Sequence, residues 1–147
     1  MLIVDCNVEP SVPEGLGLKL KNHEKGGIVV WDPRNFRLYA SKMRADQKPI
    51  RGHDVKKQLE DLKGMKKVNA CMLDFFLANP VVIPETWKGK YGNNRFIYFW
   101  GTEYLNAKGS ICIRCMFFGP GNRWNDGCID LEMIFKENDF ALMLKAA

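Results

Sequence analysis

The chain predicts an α+β fold. A mostly antiparallel sheet is expected, made of an N-terminal hairpin and a C-terminal three-stranded meander, with two short helices between them packed on one face. Three observations lead there. Helical spacing of apolar residues is confined to the stretch from about Asp54 to Ala78. From Arg95 onward, aromatic and β-branched residues come in runs separated by glycine-containing turns. No repeat, low-complexity tract or linker divides the 147 residues, so a single domain over 1–147 is expected.

Taken in order, Leu2, Ile3 and Val4 form a short strand candidate. Leu16–Lys21 alternates apolar and polar residues, as an edge strand does. His23 falls in the charged segment NHEKGG and is expected in solvent. Ile28–Trp31, the turn Asp32–Asn35 and the alternating run Phe36–Tyr39 read as a hairpin. Residues 41–52 are polar, contain Pro49 and Gly52, and read as a loop.

A first helix is predicted from Asp54, its N-cap, to Leu62, with Val55, Leu59 and Leu62 on one face and Gly64 beyond its end. A second runs from Asn69 to Ala78, with Met72, Leu73, Phe76 and Leu77 making a broad apolar face. Pro80 and Pro84 cannot donate backbone hydrogen bonds, so the helix must stop by Asn79. A polar link from Lys88 to Asn94 then leads into the strand Arg95–Leu105. Alternation puts Phe96, Tyr98, Trp100 and Tyr104 on one face, with Ile97, Phe99 and Leu105 on the other. Both faces are apolar, which predicts a covered central strand, and Gly101 marks a bulge or close packing. Turns at Asn106–Gly109 and Gly119–Asn122 bound a strand over Ser110–Phe118. A third strand spans Arg123–Phe135, and residues 137–145 read as a short docking helix.

Composition narrows the setting. No apolar run approaches the roughly 18 residues that span a membrane. The N-terminus has no basic lead-in, and Asp5 interrupts it too early for a secretory signal. Five cysteines without framework spacing fit a reducing compartment, so a cytoplasmic protein without membrane contact is expected. A net charge of +5 favours an acidic partner such as nucleic acid, although widely spread lysines also serve solubility alone.

Candidate chemistry is sparse. Cys112 and Cys115 are three apart on a strand and lack a second pair, so burial explains them better than zinc, and neither metal nor cofactor is expected. Only His23 and His53 are available as bases for a cysteine or serine nucleophile. Glu85 and Glu103 bracket the stretch 83–105 and, with Arg95, Arg114 and His53, form the constellation a small nuclease or toxin-like hydrolase would need. The competing reading pairs Glu85 with a link lysine. Tyr98, Trp100, Arg114 and Trp124 form a candidate stacking face, against which stands their use as core.

With these residues placed, the chain from about Gly27 onward resembles an uncharacterised family of short bacterial proteins. The resemblance rests on Trp31-Asp32-Pro33, Asn69-Ala70 with Leu73-Asp74, and Ala78-Asn79-Pro80. It is most specific in Ile83-Pro84-Glu85, Trp87-Lys88-Gly89-Lys90, and Phe99-Trp100-Gly101-Thr102 with Tyr104. The last strand departs from it, reading CIDLEMIFKEN where the family is rich in Trp and Asp. The resemblance implies a cytoplasmic bacterial protein and no particular activity. The aromatic strands, the basic charge and the lack of a catalytic constellation lead to the function expected, a non-enzymatic domain binding protein or nucleic acid through Trp87, Lys88, Trp100, Arg114 and Trp124. The hydrolase is the alternative.

Overall fold

The computed structural model of the chain describes residues 1–40, 50–90 and 93–146. The first half contains β1 (Ile3–Asp5), β2 (Lys19–His23), β3 (Ile28–Val30), β4 (Phe36–Ala40) and β5 (Ile50–Arg51). Helix α1 (Gly52–Glu60), β6 (Met65–Lys67) and helix α2 (Ala70–Ala78) follow. Then come β7 (Gly89–Lys90), β8 (Asn93–Asn94), β9 (Phe96–Tyr98) and β10 (Thr102–Leu105). The chain closes with β11 (Ile111–Phe118), β12 (Trp124–Asp130), β13 (Ile134–Phe135) and β14 (Asp139–Lys145).

The fold is mostly β, which corrects the expected α+β arrangement. Among the described residues, eight strands form one mixed sheet in the order β2-β10-β11-β9-β14-β4, with β12 on β11 and β6 on β14. The meander β10–β11–β12 is present but is only part of this sheet. The N-terminal hairpin is absent. Asp32 caps a 3-10 turn over Pro33–Asn35, its carboxylate accepting from the Arg34 amide, and the flanking strands diverge. β3 pairs with β1, while β4 pairs with β14.

The C-terminal docking helix is also replaced. Asp139–Lys145 is a strand bonded to β4 along one edge and to β9 and β6 along the other, with β9 parallel. Its consecutive apolar residues serve opposite faces: Leu142 enters the core beneath α2, while Ala141 and Met143 enter the core beneath α1. A strand covered on both sides needs no alternation, so in sequence it resembles a short buried helix.

The two helices lie on opposite faces, not one. Met72, Leu73 and Phe76 of α2 pack with Ile97, Phe99 and Leu142. Val55 and Leu59 of α1 pack with Tyr98, Trp100 and Met143. Full burial of each such side chain stabilises the fold by roughly 1.5–3 kcal/mol. The helix bounds agree closely with the spacing argument. Asn69 caps α2, accepting from the Cys71 amide at 3.1 Å, and its side-chain amide donates to Cys6 O and Glu24 O, each at 2.9 Å. Asp54 is not the N-cap of α1. It lies in the first turn and accepts from the Arg51 amide. Most of the loop expected over 41–52 lies outside the described residues, and Ile50–Gly52 form β5 and the start of α1.

The stretch Phe96–Leu105 runs beside β11 with a break. Tyr98 faces Cys115, but Tyr104 faces Cys112, a shift of register across Phe99–Gly101. The extra residues turn Tyr104 into the cluster of Leu18, Ala70 and Cys112, away from Tyr98 and Trp100. One irregularity in a period-two strand therefore reverses the faces expected beyond it.

Candidate functional site

An open concavity forms where the helical and strand halves meet. Its first wall is the end of α2 and the link. Pro80 opens a 3-10 turn over Pro80–Val82, and a second covers Glu85–Lys88. Ile83 and Trp87 anchor this link in the core. The Trp87 ring stands edge-on to Phe76 and Trp31, each 5.8 Å away. With these two pegs inside, Leu77, Val81, Glu85 and Lys88 are left to face outward. Val81 is 91% exposed.

The opposite wall is the tip of the β11–β12 hairpin. Gly119, Gly121 and Asn122 adopt positive φ, and the Gly119 amide donates to Arg123 O at 2.8 Å. That tight turn, built from residues tolerant of left-handed geometry, sets Phe118 against Trp124 edge-to-face at 5.6 Å. Lys88 Nζ sits 4.1 Å from the centre of the Phe118 ring and 2.9 Å from Glu85 Oε2. The open groove between the walls holds about 510 Å³. Its lining mixes the apolar Leu77, Pro80, Val81, Phe118 and Trp124 with the charged Lys88, Arg123 and Glu85.

Of the expected binding residues, Lys88 and Trp124 line this groove and Trp87 supports it from beneath. Trp100 and Arg114 lie elsewhere. Trp100 is buried on the α1 face against Phe135, 5.5 Å away. Arg114, 3% exposed, is on the α2 face, where it bonds Asp74 Oδ1 at 3.1 Å and Asp126 Oδ2 at 3.3 Å. Its Nε has no partner among the described residues. The aromatic face expected from Tyr98, Trp100, Arg114 and Trp124 is thus divided between two sides of the sheet. Val81, Phe118, Leu77 and Arg123 escaped the sequence reading. Their available signals were an apolar residue between two link prolines and a basic residue before Trp124 in a glycine turn.

The four alternative catalytic residues each hold a separate partner. Glu85 pairs with Lys88, and Glu103 is buried with Lys56 Nζ at 2.7 Å. Arg95 donates to Thr86 O at 3.2 Å. His53 Nε2 lies 2.8 Å from Glu132 Oε1 at the start of α1.

His23 is not a solvated loop residue; it ends β2 with Nδ1 2.9 Å from Thr102 Oγ1 and Nε2 3.8 Å from Cys71 Sγ. This has the outline of a nucleophile, a base and an orienting hydroxyl. Its chemistry is blocked twice. Burial, then the charges of Asp74 and Asp5, push the Cys71 thiol up to about 11, and its Sγ donates to Val8 O at 3.2 Å. The two nearest α2 amides are occupied too: Ala70 donates to Thr102 Oγ1 and Cys71 to Asn69 Oδ1, so neither is free for an oxyanion. Cys112 and Cys115 point to opposite faces, and no group of three metal-binding side chains occurs among the described residues. No helix among those residues is long and apolar enough to cross a membrane.

No protein-family model, curated protein or solved structure matches the chain.

Proposed function

We propose that this protein is a non-enzymatic binding domain. In this reading it captures a segment of a partner protein in the groove between the Pro80–Lys88 link and the β11–β12 hairpin tip. One observation carries it: Val81, almost fully exposed, lines the same open cleft as the half-buried Phe118–Trp124 pair. An exposed aliphatic residue in one cleft with exposed aromatic edge, flanked by charge, is the surface pattern of a contact site. The partner contributes an aliphatic or aromatic anchor, with an acidic neighbour for Arg123. A protein segment suits the site better than nucleic acid. The Phe118 face is already covered by Lys88, and Glu85, highly exposed on the rim, would repel phosphates. The nuclease reading has less support, since its carboxylates and bases are engaged in separate local pairs. We place the protein in the cytoplasm, a reading supported by its five free cysteines.

The test is selection of short random displayed peptides against the protein, followed by anisotropy titration of an enriched peptide. Enriched peptides should share a large apolar residue beside Asp or Glu. Trp124→Ala and Val81→Asp should each weaken binding by about tenfold or more, roughly 1.4 kcal/mol, with little change in Tm for the exposed Val81 and binding to Trp124→Ala measured well below its lower Tm. Absence of enrichment, or equal binding to Trp124→Ala, would overturn the reading. Tight, salt-dependent binding of a single-stranded oligonucleotide lost in Trp124→Ala would move it to nucleic acid.

A further inference from the structure

Trp124 belongs to two features at once. It lines the groove, and it is the first residue of β12, which pairs with β11 and with no other strand among the described residues. The parity of the ladder shows what the other edge of β12 presents. Leu131 N donates to Ile111 O at 3.0 Å, and Gly119 N donates to Arg123 O at 2.8 Å. Both continue the β11–β12 register. Antiparallel bonds alternate, so residues 123, 125, 127, 129 and 131 face β11. The amides and carbonyls of Trp124, Asp126, Cys128 and Asp130 therefore point away from the sheet. The Asp130 carbonyl accepts from Met133 N at the following turn. Those of Trp124, Asp126 and Cys128 have no partner among the described residues.

This edge also lacks the usual obstacles to strand addition. Proteins blunt exposed edges with lysine, proline, bulges or irregular register. Another edge strand of the same sheet, β2, carries Lys19 and Lys21 and has a register shift where it meets β10. β12 keeps unbroken register over all seven residues and contains neither lysine nor proline. The exposed carboxylate of Asp126 is held by Arg114 at 3.3 Å, on the face of the strand.

We propose that the partner segment docks as an added β-strand along β12. Its backbone pairs with Trp124, Asp126 and Cys128, and its anchor side chain enters the groove beside Trp124. This rests on the groove reading above and specifies how the segment is held: main-chain hydrogen bonds supply affinity, and the groove supplies selectivity. The continuity of edge and groove at Trp124 is what favours a partner segment over a second copy of the chain, which would use the edge and leave the groove empty.

Two measurements test it. In the free protein, amide hydrogen exchange at Trp124, Asp126 and Cys128 should be about a hundredfold faster than at Asn125, Gly127 and Ile129. Adding the selected peptide should slow the first set. Equal protection of all six in the free protein would overturn the proposal, because the edge would already be covered. The second measurement removes one edge donor. Cys128→Pro deletes an outward amide while leaving every β11–β12 bond in place, and it should weaken the peptide about tenfold or more, with Cys128→Ser within about twofold. Should Cys128→Pro fail to fold, N-methylation along the peptide supplies the same test on the unaltered protein. Alternate positions should lose binding and intervening ones keep it. If binding depends on Trp124 but on neither Cys128→Pro nor the methylation pattern, the groove stands and the added strand falls. If no peptide is enriched at all, the groove reading fails and this falls with it. A concentration-dependent dimer that disappears in Cys128→Pro would overturn the partner in favour of a second copy.

Discussion

Asp139 opens β14 at a position where burial and hydrogen bonding oppose each other. Its Oδ2 accepts from the Lys136 amide at 2.7 Å, and the Tyr98 hydroxyl bonds the same carboxylate. Burial is the larger effect, and the carboxyl pKa stands above its ordinary 3.8 despite those bonds and the Lys136 charge. A pKa higher in the folded than in the unfolded chain means the native state keeps its proton longer. This group's contribution to stability is therefore fully present below the unfolded pKa. It declines as pH rises between the unfolded and folded values, and is lost above both. Asp139→Asn retains an acceptor for the Lys136 amide and removes the titration. Urea midpoints from about pH 3.5 to 7 should show the variant gaining on the wild type as pH rises. Parallel curves would refute the assignment. The same scale explains Trp100. Its aromatic character was plain in the sequence, but only the packing of Phe135 against it shows that it is core.

At the scale of elements, the break over Phe99–Gly101 decides where side chains go. Gly101 N donates to Val68 O at 2.9 Å, and Glu24 N donates to Gly101 O at 2.8 Å, so the bend is held from both sides. A Cβ on Gly101 would lie 2.8 Å from Asn69 Cα and Cβ, at the cap of α2. Gly101→Ala should therefore destabilise the fold by about 1–3 kcal/mol, read from urea unfolding; a change under about 0.5 kcal/mol would show that α2 can shift away. The contrast with helix boundaries shows what the sequence can carry. Asn69 before an apolar helical face, and Pro80 after it, act within a few residues and were legible. The expected single strand over 95–105 is two strands, Phe96–Tyr98 and Thr102–Leu105, but a special role for Gly101 was legible for the same reason. The consequence of the bend was not, because the pairing of Tyr104 with Cys112 is set by a strand not yet placed. The groove divides likewise: aromatic and basic character marked Lys88 and Trp124, whereas Val81 and Phe118 became partners only through the turn at Gly119–Asn122.

For the whole molecule, β14 is the decisive element. It joins the half containing β4 and β6 to the half containing β9–β12, and it contributes to the cores on both faces. Nothing local in DFALMLK distinguishes that position from a buried helix, which is why the expected architecture failed there. The fold predicts that residues 1–136 alone lack cooperative structure. Three strands would have no common partner, and both cores would lose apolar residues. A fragment with a sigmoidal urea transition and dispersed amide resonances would contradict this.

The order of strands along the chain differs sharply from their order in the sheet. β4, β6 and β9 are all synthesised before the strand that unites them. β9 ends at Tyr98 and β14 begins at Asp139, an interval of about 2–8 s at common translation rates. During that time the locally connected meander can form, while β4, β6 and β9 expose edges and apolar faces to the cell. The nascent chain, more than the finished protein, is thus the form most in need of a chaperone. Slowing translation between β9 and β14 should lengthen that exposure without altering a single contact in the native state.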